Sequence, residues 1–113
     1  SVYHLIESLQ KIVHQIQNQL HVIVEPTVDA GLVIHLAFLV ESLLKKEPGR
    51  QFKDLSIFQK KYRIENDVLR THLLQIEKNY QVKISEDEIA YLTQMFLENE
   101  IQNYHESAHN ISV

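Results

Sequence analysis

The chain has no cysteine, no tryptophan, one methionine, two glycines and two prolines among 113 residues. Without cysteine there is no disulfide framework, thiolate nucleophile or cysteine zinc site. The scarcity of glycine excludes a glycine-rich phosphate loop. So few breakers in a chain rich in Leu, Ile and Val argue for helices. No apolar run approaches the ~20 residues of a membrane span. A basic surplus is missing too: 15 Asp and Glu against 11 Lys and Arg give a formal net charge of -4. Direct nucleic-acid contact by this chain is therefore disfavoured, since phosphate contacts need a basic face. No serine sits in a nucleophile elbow. No nucleophile, base and oxyanion set can be assembled, so an enzyme is not expected. The first thirty residues carry no basic stretch followed by an apolar one, as a secretory leader would. From the start at Ser1, the chain is expected to be a piece of a larger cytoplasmic protein.

What is present suits one folded domain. Hydrophobic residues make up 44% and charged residues 23%, and a chain of this length buries about two-thirds of its unfolded surface. From Val2 to about Val24, apolar residues recur every three or four positions: Val2, Leu5, Leu9, Ile12, Ile16 and Ile23. That spacing is one face of a long helix. Its other face is rich in Gln and His, which suits pairing with a copy of the chain or a neighbour. Pro26 and Gly31 bracket a break, and Pro26 ends this helix. Thr27 or Asp29 can cap the next. That second helix runs to about Lys46 on a wide stripe of Leu32, Val33, Leu36, Leu39, Val40, Leu43 and Leu44, the pattern of the most buried element. Lys45 and Lys46 fall in its last turn, and Pro48-Gly49 stops it.

Residues 51–62 form a short crossing helix around Phe52, Leu55, Ile57 and Phe58. Another spans about Glu65 to Tyr80, with Val68, Leu69, Leu73, Ile76 and Tyr80 inward. Ser85-Glu86-Asp87-Glu88 is a capping box, in which the Ser85 hydroxyl accepts from the Glu88 amide and Glu88 reaches back. It opens a last helix with Ile89, Leu92, Met95, Phe96 and Asn99 on one face. The whole is an all-α, compact bundle of about five helices. Residues 1–104 make one domain, and residues 105–113 make a polar, frayed tail.

Seven histidines are the richest source of chemistry: His4, His14, His21, His35, His72, His105 and His109. His4, His14 and His21 lie on the first helix and read as solvated or interface-lining imidazoles. His105 and His109 are four apart, but no third ligand completes a zinc site, so no metal is expected. His35 differs, because it interrupts the apolar run Gly31-Leu-Val-Ile-His-Leu-Ala-Phe-Leu-Val. Spacing alone leaves two readings. A core histidine needs only a partner to be tolerated. A functional one gains from apolar surroundings, which keep the imidazole neutral and able to attack a phosphoryl donor. The Lys45-Lys46 and Lys60-Lys61-Tyr62-Arg63 clusters read as solvated faces. Asp87 and Glu88 are explained by the capping box.

Three stretches together resemble the phosphotransferase-system regulation domain, or PRD, of bacterial antiterminators and transcriptional activators. They are Gly31 to Leu43 around His35, Phe58-Gln-Lys-Lys-Tyr62 with the helix beyond it, and Ile84-Ser-Glu-Asp87-Glu88-Ile-Ala-Tyr91-Leu. The resemblance covers about residues 2–100. It implies an all-α regulatory module in which His35 is the phosphoryl acceptor, with HPr or a sugar-specific EIIB as donor. It further implies a cytoplasmic homodimer without a cofactor, whose packing changes with phosphorylation to control transcription. The chain departs from the family pattern twice. Met95 stands where a second histidine is frequent, and Ser42 where many members carry Arg, so a phosphate partner must come from elsewhere, with Arg70 or Arg63 as candidates. Ile34, where antiterminators usually have Asp, is similar to the levanase-operon type of sigma-54-dependent activator. Two other readings stay open: a helical dimerisation or docking module without phosphorylation, and a metal-binding bundle using several histidines.

Overall fold

The computed structural model describes residues 2–103. The expected tail, 105–113, and with it His105 and His109, lies outside the described residues. Five helices form: α1 (Val2–Leu20), α2 (Pro26–Leu44), α3 (Leu55–Lys61), α4 (Arg63–Tyr80) and α5 (Glu86–Glu98). Two short strands, β1 (Val22–Val24) and β2 (Glu100–Asn103), pair antiparallel. The all-α architecture is the one the helical periodicities require. α1 packs on α2 and α4, α4 packs on α5, and α3 bridges α4 and α5.

The core is the sum of the inward stripes. Leu9, Ile12, Val13 and Ile16 of α1 meet Leu32, Val33, Leu36 and Val40 of α2 in one buried cluster. Leu69, Leu73 and Ile76 of α4 join it, as do Ile89, Leu92 and Phe96 of α5. Each set repeats at three- and four-residue spacing, so burying one face removes most of its apolar area from water. Asn99, expected inward, is exposed instead and caps α5, its side-chain amide donating to the Met95 carbonyl.

Three expectations about the first half are corrected at the junction of α1 and α2. α1 ends at Leu20, not near Val24, because His21 takes the left-handed conformation (φ 58°) and turns the chain out of the helix. Histidine is among the residues that tolerate that region. Val22-Ile23-Val24 then alternates buried, exposed, buried, as a strand with one covered face does. Pro26 does not terminate α1; it opens α2 at the first turn, where its missing N–H costs nothing. Gly31 is not a break, since α2 runs straight through it.

α2 is also not the most buried helix. Ile34 and Phe38 lie 52% and 66% exposed, and Leu44 is exposed as well. By length and composition α2 could cross a membrane, contrary to the reading that no stretch is apolar enough. Here it turns Leu32, Val33, Leu36 and Val40 into the core instead. Lys45 and Lys46 lie just past its end.

A Cβ at Gly31 meets no heavy atom within 4 Å. Gly31→Ala is therefore expected to raise the unfolding free energy by about 0.5–1 kcal/mol, through the backbone freedom removed from the unfolded chain. Urea titration of the two proteins checks this; a loss of stability would show that the Gly31 face is covered.

The Gln/His face of α1 is used partly within the chain. Asp29 of α2 lies 3.0 Å from His14 Nε2 and accepts from Gln17 Nε2, while Gln17 Oε1 accepts from the Val24 amide. Gln19 Oε1 lies 2.6 Å from His72 Nε2 on α4.

Candidate functional site

His35 sits midway along α2, half-buried at the edge of the stripe that faces the core. Its neighbours Val33 and Leu36 are buried, while Ile34 and Phe38 face out. The imidazole lines a depression of 340 Å3 with Phe38, Leu39 and Ser42 of α2, Glu47 to Arg50 of the following loop, and Ser85 and Glu88 at the start of α5. Helical spacing explains why Phe38, Leu39 and Ser42 join His35, since residues three, four and seven ahead share its face.

The loop is placed by α5. The Phe52 amide donates to Asp87 Oδ1 at 2.8 Å, and the Tyr91 hydroxyl donates to the Gln51 carbonyl at 2.7 Å. Between them Arg50 forks onto Glu88, Nε to Oε1 at 3.1 Å and Nη2 to Oε2 at 3.0 Å. Such bidentate pairs are charge-assisted and geometrically specific. The guanidinium also stacks 4.0 Å over the Tyr91 ring.

The capping box forms by half. The Ser85 hydroxyl accepts from the Glu88 amide at 3.1 Å as the pattern requires. The Glu88 carboxylate does not return to the cap; Arg50 holds it, and it is only 8% exposed. Asp87 is likewise spent on the loop. Capping therefore accounts for the Ser85 hydroxyl and not for either carboxylate.

His35 Nε2 lies 3.9 Å from Glu88 Oε2, beyond hydrogen-bond range. That nitrogen is buried without a hydrogen-bond partner, although the side chain as a whole is 29% exposed. A core histidine tolerated through a partner is thus not what Nε2 presents. Burial lowers the imidazole pKa below its ordinary value; Glu88 opposes this, and the charge of Arg50 adds to the lowering. The neutral form is favoured, so a ring nitrogen keeps its lone pair.

This shift has a sign for stability. Below about pH 6.5 the unfolded chain protonates at His35 before the folded one does. Stability present at neutral pH therefore falls as pH drops from there through the folded pKa. His35→Gln is expected to flatten that part of the profile; an unchanged slope in denaturation at several pH values would contradict it.

The other expected residues are placed as follows. Arg70 is bound by Glu86 and Asp67, and neither Arg70 nor Arg63 lines the His35 depression. Arg50, which sequence reasoning missed, is the basic residue that does. Met95 is partly buried against the core. Lys45 pairs with Glu41 at 2.6 Å, one turn back on α2. Among the described residues no group of three His, Asp or Glu side chains is arranged to hold a metal ion.

Comparison with known proteins adds one match. The family model described as the PRD domain covers residues 10–99. No curated protein and no solved structure matches the chain.

Proposed function

Because the chain belongs to the PRD domain family, a family of regulatory rather than catalytic modules in phosphotransferase-system control, we propose that it reports sugar availability through phosphorylation of His35. The observation that carries this reading is the state of His35. It is a neutral-favoured imidazole, 29% exposed, lining an open depression beside an arginine. A ring nitrogen attacks the phosphorus of a phosphorylated HPr or EIIB, the donor's bond to phosphorus breaks, and the ring N–H proton leaves to the donor side. The levanase-operon activator type of sigma-54-dependent regulator is the subtype we favour over an antiterminator, from Ile34 before His35. Its place is the cytoplasm, where such donors work. The net charge of -4 argues against nucleic-acid contact by this domain.

The output is a change in homodimer packing. Phosphorylation adds roughly -1.5 to -2 charges. Here they arrive beside exposed Phe38, so an apolar contact at this face would be parted or rebuilt. Sedimentation velocity before and after phosphorylation is expected to show a shift in association state that His35→Ala lacks and His35→Asp mimics in part. An association state indifferent to all three conditions would remove this output.

A second reading is a helical dimerisation or docking module that is never phosphorylated. The exposure of Ile34, Phe38 and Leu44 along one helix favours it. It predicts a stable dimer that phosphoryl donors leave unmodified.

A further inference from the structure

We propose that Arg50 is the phosphoryl-binding residue of this site, a clamp that bridges Glu88 and a phosphoryl group on His35. The proposal rests on the reading of His35 as the acceptor.

Among the residues lining the His35 depression, Arg50 is the one Lys or Arg. Ser42, two turns along α2 from His35, offers the same space only a hydroxyl. Arg50 is also pre-positioned. Nε and Nη2 each give one hydrogen bond to Glu88, the Tyr91 ring supports the guanidinium, and the loop is pinned on both sides by Asp87 and Tyr91. A guanidinium has five N–H donors. Two are engaged on Glu88, which leaves three for oxygens arriving in the depression that Arg50 shares with His35. The Arg50 side chain is 51% exposed and so open to an incoming group, whereas Glu88 is nearly enclosed in the first turn of α5.

Charge makes a bridging cation necessary. His35 Nε2 and Glu88 Oε2 stand 3.9 Å apart. A phosphoryl group on the ring brings a second anion up to a carboxylate that has little water around it. Without Arg50 the two would repel directly; with it, one planar cation serves both. Glu88 in turn keeps the fork beside His35 before any phosphoryl group arrives, so little ordering is left for the modification step.

The test uses potassium phosphoramidate, a small donor that needs no docking surface. The imidazole lone pair forms the new N–P bond and the P–N bond of phosphoramidate breaks. The proton from the other ring nitrogen reaches the leaving group through water, and ammonia departs. Label at His35 is read by peptide mapping above about pH 8, where the ring is neutral in every variant. The pKa of the phosphoryl group is read by phosphorus NMR.

Arg50→Met is expected to lower the label at His35 roughly tenfold, the weight of one charge-assisted hydrogen bond, and to raise the phosphoryl pKa. Arg50→Lys restores part of both. Glu88→Gln, with the fork undivided, gives more label and a lower phosphoryl pKa. Equal label and an equal titration in Arg50→Met would overturn the clamp and leave the acceptor reading standing. Absence of label at His35 in the unaltered protein would overturn both. Should Arg50→Met fail to fold, Glu88→Gln decides: a titration like that of the unaltered protein overturns the clamp.

Discussion

Phe96→Ala is expected to lower the unfolding free energy by about 3–5 kcal/mol, the usual cost of emptying an aromatic site in a closed core. Phe96 is 1% exposed and is the largest fully buried side chain among the described residues. It lies in the cluster that joins α5 to the other helices. Against a total stability of about 5–15 kcal/mol for a domain, this removes a large share. The loss reaches the site as well, because α5 carries Asp87, Glu88 and Tyr91, and those three hold the loop that presents Arg50. Urea denaturation at constant m-value checks the number. A drop below about 1 kcal/mol would mean that the cavity collapses and that α5 is less firmly seated than its burial implies.

Removing Arg50 should cost more than removing Glu88, although the two share one ion pair. Arg50→Met leaves the Glu88 carboxylate enclosed and unpaired, a cost of about 1–2 kcal/mol once discounted for the half-exposed guanidinium. Glu88→Gln leaves a guanidinium that reaches water and an amide oxygen that still accepts, so about 1 kcal/mol or less is expected. The same asymmetry appears at His35. Arg50 lowers the imidazole pKa and Glu88 raises it. Arg50→Met therefore moves the His35 pKa upward and shrinks the acid-side loss of stability described above. Proton NMR titration of the His35 ring reads this directly; a downward or absent shift would show that the loop had moved away from α2.

His35 stood out as a titratable residue inside an apolar run, but that run alone left a core histidine and a functional one both open, and only the family resemblance pointed to an acceptor. The four longer helices were legible because their stripes hold one period over many residues, whereas α3 is seven residues long and buries none of them. Other features depended on information that no local pattern holds. β1 is a three-residue apolar run, too short for its period to differ from that of a helix, and its partner strand comes nearly at the end of the described chain. Gly31 looked like a break because glycine is a poor helix former, yet packing on both sides of it carries α2 through. The exposure of Ile34 and Phe38 follows from where α2 meets its neighbours, which hydrophobicity alone does not encode. Arg50 stood in a loop with no periodicity, and its partner Glu88 is 38 residues away. Ser85 and Glu88 did announce a capping box, but a carboxylate can serve a cap or a side chain, and only the folded loop decides which.

The central claim is that His35 accepts a phosphoryl group. Its most direct test is intact mass after incubation with phosphoenolpyruvate, enzyme I and HPr, with and without a panel of EIIB proteins, beside the His35→Ala variant. A gain of one phosphoryl group in the unaltered chain, lost in His35→Ala while that variant stays folded, is the predicted result. Equal labelling of both proteins would contradict it.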